Sequence, residues 1–153
     1  MEPFLRKNFR GKPAFNTNAA DETVAFASAF AALLKPGDMV ALTGGLGAGK
    51  THFVKGVAAY FGMKKTAVAS PTFNLLREYR GKGAVLYHFD LYRLDSFEEL
   101  DRIGYREYIT DPDAIVLAEW PEKVRETWND FNWAVRIEHA GRNKRKITVY
   151  RKV

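Results

Sequence analysis

A glycine-rich segment between an apolar run and an amphipathic segment most constrains the fold of this chain. Residues Gly44 to Thr51 fit the pattern G-x-x-x-x-G-K-[ST]. The run Met39 to Leu42 before it is apolar, as in a buried strand, and Phe53, Val57 and Phe61 after it recur at helical spacing. A strand, a glycine loop and a helix in this order are the context in which the pattern binds phosphate groups. The segment therefore predicts a P-loop nucleotide site at the start of a helix.

The residue types in this loop suit a polyphosphate ligand. Phosphate oxygens need several N–H donors that converge on them. Only a backbone with little side-chain bulk allows its amide groups to approach the phosphate so closely. The free N–H groups and the positive dipole end of the following helix add to the attraction. Lys50 supplies a point charge for the β- and γ-phosphates, and the Thr51 hydroxyl is a ligand for Mg²⁺. The candidate nucleotide-binding residues of the loop are Gly44, Gly45, Leu46, Gly47, Ala48, Gly49, Lys50 and Thr51.

The other apolar patterns predict a single α/β domain of the P-loop NTPase type, with a mixed central sheet flanked by helices. Residues 114–118 are uniformly apolar, which indicates a central strand buried on both faces. Residues 75–79 and 84–89 are strand-like and predict an antiparallel hairpin, and alternation near residues 133–149 predicts a second one. Asn18 is expected to cap the helix before the P-loop strand.

The positive charge of the chain is concentrated near its ends. The formal net charge is +6 and the pI is about 9.5. Residues 1–12 are polar and basic, so we expect a basic N-terminal arm of uncertain order, followed by the P-loop domain over residues 13–153. Such charge invites a polyanion such as RNA, but a solvated tail is the alternative interpretation.

Composition and the distribution of apolar residues indicate the compartment in which the protein works. The chain contains no cysteine, which excludes a disulfide framework and thiolate metal ligands. No apolar run approaches the roughly 18 residues of a membrane span, and the N-terminus lacks the apolar segment of a secretory signal. We therefore expect a soluble, cytoplasmic protein.

Two acidic residues stand at the ends of predicted strands, where a P-loop site needs carboxylates. Glu119 follows the apolar run 114–118 and resembles a Walker-B acid, placed to hold Mg²⁺ directly or through water. Asp90 ends the hairpin strand before it and is a candidate to orient the attacking water or reach the metal. Thr72 lies in a loop after a strand and is a candidate γ-phosphate sensor, with a local backbone cap as the alternative.

Other sequence features are weaker indicators of metal binding or of nucleotide specificity. The three histidines, His52, His88 and His139, are scattered, and packing or surface roles are the favoured interpretation. Residues 101–104 match the D-x-x-G of GTPases but follow a helix-capping pattern rather than a strand, and no N-K-x-D guanine-reading motif occurs. ATP is therefore favoured over GTP.

Four motifs together resemble the TsaE (YjeE) family of bacterial ATPases in tRNA threonylcarbamoyladenosine (t6A) synthesis. They are Leu46-Gly47-Ala48-Gly49-Lys50-Thr51, Ser70-Pro71-Thr72-Phe73, His88-Phe89-Asp90-Leu91-Tyr92-Arg93-Leu94 and Glu119-Trp120-Pro121. Their order and approximate spacing match from about residue 18 to residue 149. The P-loop alone is unspecific, but the set of four is highly specific.

This resemblance implies a function and a set of site residues. Family members bind a complex of the TsaB and TsaD proteins, and their Mg²⁺-dependent ATP hydrolysis supports t6A formation by TsaD, so tRNA is expected to be reached through the complex. The resemblance assigns Mg²⁺ to Thr51 and Glu119, hydrolysis to Asp90, a place beside the nucleotide base to Thr23, and a switch role to the loop containing Thr72. Lys50, Asp90 and Glu119 are thus the candidate catalytic residues. The family usually has Asp where this chain has Gly45; that acid lies outside the minimal P-loop pattern, so nucleotide binding is expected to survive its absence.

Three other functions remain open from the sequence. The first is a small-molecule kinase, in which Arg93, Arg102 and Arg106 would clamp a phosphoryl group, although no lid insertion or acceptor pocket is apparent in so short a chain. The second is a non-catalytic module gated by ATP binding. The third is an RNA-binding protein that uses its basic ends.

Overall fold

The computed structural model describes residues 2–68, 75–81 and 83–153, which form a nine-stranded mixed sheet with helices on both faces. The strands are β1 (Phe9–Gly11), β2 (Phe15–Thr17), β3 (Met39–Thr43), β4 (Lys64–Val68), β5 (Leu76–Gly81), β6 (Ala84–Asp90), β7 (Ala114–Glu119), β8 (Trp133–Gly141) and β9 (Lys144–Lys152). The helices are α1 (Glu2–Asn8), α2 (Ala20–Ala31), α3 (Lys50–Tyr60), α4 (Phe97–Arg102) and α5 (Tyr105–Ile109). The strand order is β1-β9-β8-β3-β7-β6-β5-β4, and β2 also pairs with β9. The predicted mixed α/β fold is confirmed.

Strand β3 lies between two parallel neighbours in the middle of this sheet. All five of its residues are buried, as are all six residues of β7. Leu42 of β3 pairs with Glu119 of β7, and Asp90 of β6 pairs with the same glutamate from the other side. Because the carboxyl ends of parallel strands lie at one edge of a sheet, the chain segments after β3, β6 and β7 meet there.

Alternating residues of β3 face two separate hydrophobic cores. Val40 and Leu42 join the apolar faces of α2 and α3, whereas Met39 and Ala41 join residues from α1, α4 and α5. This is the pattern of a strand buried on both faces, and it explains why the sequence of β3 is apolar at every position before Thr43.

Helix α3, which follows the P-loop, packs very closely on α2. A Cβ atom at Gly56 would lie 2.7 Å from the Cβ of Ala27 and still closer to the carbonyl oxygen of Val24. The close approach therefore requires glycine at this position in α3. It brings the N-terminal half of α2, including Thr23, toward the P-loop.

The N-terminal segment differs from the expected arm. Residues Glu2–Asn8 form α1, and the next three residues pair with the C-terminal end of β9. Leu5 and Phe9, four residues apart, are 1% and 6% exposed and join the core on the α1 face. The basic composition of the segment does not indicate that these two apolar side chains are buried. Their burial holds the segment against the sheet.

Several local expectations can be compared with the structure. Both predicted hairpins are present, as β5–β6 and β8–β9, and the Ser96 hydroxyl caps α4 by accepting the N–H of Glu99 at 3.4 Å. The expected Asn18 cap is wrong, because α2 begins at Ala20 after an Ala19 N-cap. The backbone N–H of Asn18 instead donates to the Glu22 carboxylate at 2.6 Å.

Two further observations concern helices. The chain after β7 forms a pair of short 3-10 helices, Pro121–Lys123 and Arg125–Asp130. Within the described ranges, no helix has both the length and the apolar character needed to cross a bilayer.

The N-terminal segment gives a test of the fold. We expect Leu5→Ala to lower the free energy of unfolding by about 2–5 kcal/mol, because it removes a fully buried side chain from the core. Chemical denaturation measures the change. The matched control Lys7→Ala alters an exposed residue of the same helix and should have little effect. Equal, small effects of both changes would show that residues 1–12 are an undocked arm after all.

Candidate nucleotide-binding site

The P-loop and the two strand-end carboxylates line one open pocket of about 330 Å³. The P-loop contributes residues 46–49, and α3 contributes its first three residues. Asp90 and Glu119 line the opposite part, because β6 and β7 end side by side. Three separate sequence motifs thus converge at the carboxyl edge of the sheet. The pocket combines backbone amides and a lysine with two acidic side chains, as phosphate and Mg²⁺ together require.

Glycine geometry shapes the start of α3. Gly49 is the N-cap residue of this helix and has φ of 106°, in the left-handed region that favours glycine. Gly45 is different, since its φ is not left-handed and a Cβ there would meet no atom within 4 Å. The backbone therefore does not require glycine at position 45, and an aspartate would fit there.

Lys50 is buried at the base of the pocket and is held by two contacts. Its Nζ donates to the carbonyl oxygen of Gly44 at 2.6 Å and lies 3.7 Å from the centroid of the Trp120 ring. Burial lowers the pKa of the Lys50 ammonium below its ordinary value, an effect that the carboxylates of Glu119, Glu122 and Asp90 oppose. A polyphosphate would add negative charge beside this ammonium and stabilise its charged form.

Trp120 has an unusual backbone conformation at this site. Its φ and ψ are 56° and 46°, a left-handed geometry that costs about 1–3 kcal/mol for a residue other than glycine. The indole packs between Lys50 and Tyr92, and the ring centroids of Trp120 and Tyr92 are 4.9 Å apart. The strained turn thus places an aromatic ring over the lysine of the P-loop.

Glu119 is almost fully buried and is held by His88. The Nε2 atom of His88 lies 2.5 Å from Oε2 of Glu119, whereas Nδ1 of His88 is buried without a partner among the described residues. A proton on Nδ1 would be an unsatisfied buried donor, so the tautomer with Nε2–H is favoured, and this N–H donates to Glu119. The histidine therefore fixes the orientation of the carboxylate.

Asp90 is half-buried and retains more freedom than Glu119. Its Oδ1 accepts the backbone N–H of Tyr92 at 3.1 Å, which is the contact of a local Asx turn. Thr51, in the first turn of α3, is exposed and lines the same pocket. Hydroxyl and carboxylate oxygens are the donors that Mg²⁺ prefers, and such sites take one or two carboxylates together with phosphates, so this set fits the ion.

The β8–β9 hairpin holds the P-loop from the other side. Arg145 donates from Nε to the carbonyl oxygen of Ala48 at 2.9 Å and from a terminal nitrogen to that of Gly47 at 3.1 Å. A ring nitrogen of His139 lies 3.1 Å from the carbonyl oxygen of Leu46. These contacts hold three successive carbonyl groups of the loop, and within the loop the N–H of Ala48 donates to the carbonyl oxygen of Gly45 at 3.2 Å.

Thr23 lies in a smaller pocket of about 180 Å³ beside the P-loop. The pocket is lined by residues from α2, the P-loop, α3 and the tip of the β8–β9 hairpin: Ala20, Thr23, Gly47, Gly49, His52, Asn143 and Arg145. Thr23 is 2% exposed, and its hydroxyl lies 2.9 Å from that of Thr17. The predicted base-proximal residue is thus adjacent to the P-loop, while Thr72 lies outside the described residues.

The arginines expected of a kinase lie elsewhere. Arg93 and Arg102 line a separate pocket with Leu75, Leu94, Glu99 and Ile103. Arg106 donates to the Asp101 carboxylate at 3.1 Å. None of the three lines the P-loop pocket formed by the described residues, so the kinase alternative gains no support.

Sequence reasoning missed three side chains that shape the site. His88 was assigned to packing or the surface, yet it holds Glu119; the available signal was its position two residues before Asp90, on the same face of a strand. Arg145 belongs to the basic C-terminal stretch and is not singled out by any motif, and His139 was grouped with the scattered histidines. Their contacts join the P-loop to residues more than 90 positions away, and no local pattern indicates them.

The contact between Lys50 and Trp120 provides a test of ligand binding. Phosphates at the P-loop should draw the ammonium away from the indole, so addition of Mg-ATP should change tryptophan emission in a saturable way. We expect Trp120→Phe to abolish most of this change and Trp128→Phe, the control, to retain it. An unaltered response in Trp120→Phe would contradict the assignment of this pocket to the nucleotide.

Comparison with known proteins agrees with the motifs. The family model described as "Threonylcarbamoyl adenosine biosynthesis protein TsaE" matches residues 17–147. Proteins named tRNA threonylcarbamoyladenosine biosynthesis protein TsaE are similar to this chain. The one from Rickettsia conorii is 39% identical over 132 residues, covering 86% of this chain and 74% of the relative. The one from Bacillus subtilis is 39% identical over 128 residues, covering 84% and 78%.

A solved structure agrees as well. The crystal structure of Bacillus subtilis YdiB aligns with a TM-score of 0.73 at 31% sequence identity, covering 95% of this chain and 88% of that one. The resemblance inferred from the four motifs is confirmed, and the chain belongs to the TsaE family.

Proposed function

We propose that this chain is a Mg²⁺-dependent ATPase that supports t6A formation on tRNA by acting on a complex of TsaB and TsaD. The family and the printed names of the relatives support a role in t6A biosynthesis. The observation that carries the ATPase proposal is the pocket itself, where Lys50 and Thr51 of the P-loop face Asp90 and Glu119. A glycine-rich turn that binds no ligand would not need a lysine, a hydroxyl group and two carboxylates around one pocket.

The residues of the pocket divide into groups that bind and groups that assist hydrolysis. Residues 44–51 would enclose the phosphates with backbone N–H groups, and Lys50 would neutralise their charge after leaving the Gly44 carbonyl. Thr51 and Glu119 would hold Mg²⁺, which supplies charge neutralisation when bound. Thr23 would lie near the base, and Thr72 remains the candidate for sensing the γ-phosphate.

Asp90 is best suited to orient the attacking water. One of its oxygens accepts the Tyr92 N–H, which fixes the side chain at the end of β6. Glu119 is engaged by His88 and is buried more deeply, so its freedom to rearrange is smaller. The two acids therefore have different environments, which supports a metal role for Glu119 and a water-positioning role for Asp90.

Release of phosphate tests the proposal. We expect slow release from Mg-ATP by the purified chain and a changed rate once TsaB and TsaD are added. Asp90→Ala should retain ATP binding but lose about a hundredfold or more in hydrolysis, because water is no longer positioned. Glu119→Gln should weaken the Mg²⁺-dependent part of binding.

The outcomes separate the alternatives. ATP binding without phosphate release, even with both partners, would indicate a non-catalytic module gated by ATP. Phosphorylation of a metabolite would indicate a kinase. Normal hydrolysis by Asp90→Ala would remove the role given to this residue.

His88 gives a second test, because it acts through Glu119. We expect His88→Ala to raise the Mg²⁺ concentration for half-maximal ATP turnover roughly tenfold or more, since the ligand loses the group that orients it. Titration of Mg²⁺ at fixed ATP measures this shift. His88→Gln retains an N–H donor and should restore part of the affinity, whereas a purely structural histidine would leave the Mg²⁺ dependence of both variants unchanged.

A further inference from the structure

The fold brings the two ends of the chain, and with them its positive charge, to one edge of the sheet. Residues 1–12 and 142–153 contain ten Lys or Arg residues and a single Glu, a net charge of +9. The chain as a whole has +6, so the rest of it carries a net charge of −3. Strands β1 and β2 both pair with β9, which places these distant segments side by side.

Within this edge, two arginines lie directly opposite each other. Arg10 of β1 pairs with Arg151 of β9, both are exposed, and no described carboxylate makes an ion pair with either. The guanidinium of Arg151 packs 4.3 Å from the Trp133 ring centroid, which restricts its motion. Like charges at directly opposite positions destabilise a strand pair. The Trp133 ring favours the cation at Arg151, but no described carboxylate offsets the repulsion between Arg151 and Arg10.

The other edge of the sheet shows how such a pair is normally compensated. Lys64 of β4 pairs with Arg80 of β5, again with like charges opposite each other. Here, however, Arg80 donates to the carboxylate of Glu78 at 2.8 Å. At the β1–β9 edge, no described carboxylate forms an ion pair with Arg10 or Arg151 in this way.

An exposed aromatic ring lies on the same face of the sheet as Arg10 and Arg151. Phe15 of β2 is 51% exposed, although it stacks on Phe26 with a centroid distance of 4.9 Å. It pairs with Ile147 of β9, which shares a face with Arg151 four residues along the strand. Cations that follow a phosphate backbone, together with an exposed ring, are typical of surfaces that bind RNA with unpaired bases.

We propose that the basic edge, defined as Arg10, Lys12, Phe15 and Arg151, binds tRNA directly through the phosphate backbone of the RNA. The identity of the polyanion rests on the proposed role in tRNA modification; the surface itself is separate from the P-loop pocket. Arg10 and Arg151 form the electrostatic centre, and Phe15 is placed to stack on an unpaired base. The destabilising arginine pair then has a function, because a bound phosphate would neutralise it.

The test is the binding of fluorescently labelled tRNA to the purified full chain, without nucleotide or partner proteins, over a range of salt concentrations. We expect binding that weakens with salt, and we expect Arg10→Glu to reduce affinity roughly tenfold or more near 0.1 M salt and to make the salt dependence shallower. The matched control is Lys64→Glu. It makes the same change in net charge, at an exposed like-charged cross-strand position on the opposite edge, and should change affinity little.

Two further readouts exclude unfolding and test the ring. Arg10→Glu turns a like-charged pair into an oppositely charged one, so its melting temperature should not fall, and its tryptophan response to Mg-ATP should be retained. Phe15→Leu should weaken binding of a single-stranded RNA more than that of a duplex.

Three results would overturn the proposal. The first is absence of tRNA binding by the wild-type chain. The second is an equal loss of affinity in Arg10→Glu and Lys64→Glu, which would indicate attraction by net charge alone. The third is a loss of TsaB–TsaD binding in Arg10→Glu without any tRNA binding, which would assign the edge to a protein partner. Phosphate release from Mg-ATP by the wild-type chain is measured without tRNA, so failure here is distinguishable from failure of the ATPase proposal.

Discussion

The parallel pairing of β6, β7 and β3 is the constraint on which the candidate site depends. Asp90 and Glu119 are opposite each other in the β6–β7 register, and Glu119 is opposite Leu42, two residues before the P-loop. A shift of one residue in either register would turn one of these carboxylates to the opposite face of the sheet. Burial of both faces of β3 and β7 makes such a shift costly, because it would exchange the two hydrophobic cores.

Three side chains of the candidate site have hydrogen-bond partners within the protein, although Nδ1 of His88 has none among the described residues. Lys50 donates to the Gly44 carbonyl, His88 donates to Glu119, and Arg145 donates to the Gly47 and Ala48 carbonyls. An unsatisfied buried polar group costs about 1–3 kcal/mol, so these contacts maintain the pocket at little cost. The Lys50 contact differs from the others, since it would have to break for the lysine to reach a phosphate. The contacts of His88 and Arg145 would not have to change.

Charge is distributed unevenly over this small fold, with an acidic pair in the pocket and the cations at the β1–β9 edge. The two regions are linked through β9, because Arg145 contacts the P-loop while Lys146 faces Asn16 at the edge. The N-terminal helix contributes to the same arrangement, since Leu5 and Phe9 hold β1 in place beside β9.

Local patterns in the sequence determined the elements whose signals are short-range. The glycine loop between an apolar run and a helical stripe, the two hairpins, the Ser96 cap and the buried strand 114–118 all follow from residues that are neighbours in the chain. The same is true of the strand-end positions of Asp90 and Glu119, because an apolar run that stops at an acid marks the end of a strand. The four motifs were sufficient to indicate the family for the same reason.

Tertiary structure alone decided the contacts between distant segments. His88 on Glu119, Arg145 and His139 on the P-loop, and Arg10 opposite Arg151 join residues 31, 97, 93 and 141 positions apart. Such contacts depend on strand order and register, which arise from the packing of whole faces rather than from any local propensity. The N-terminal segment illustrates the difference: its basic composition predicts an arm, but two apolar side chains find a core that only the folded sheet provides. The composition of a segment is local, whereas the burial of its side chains depends on which other segments pack against it.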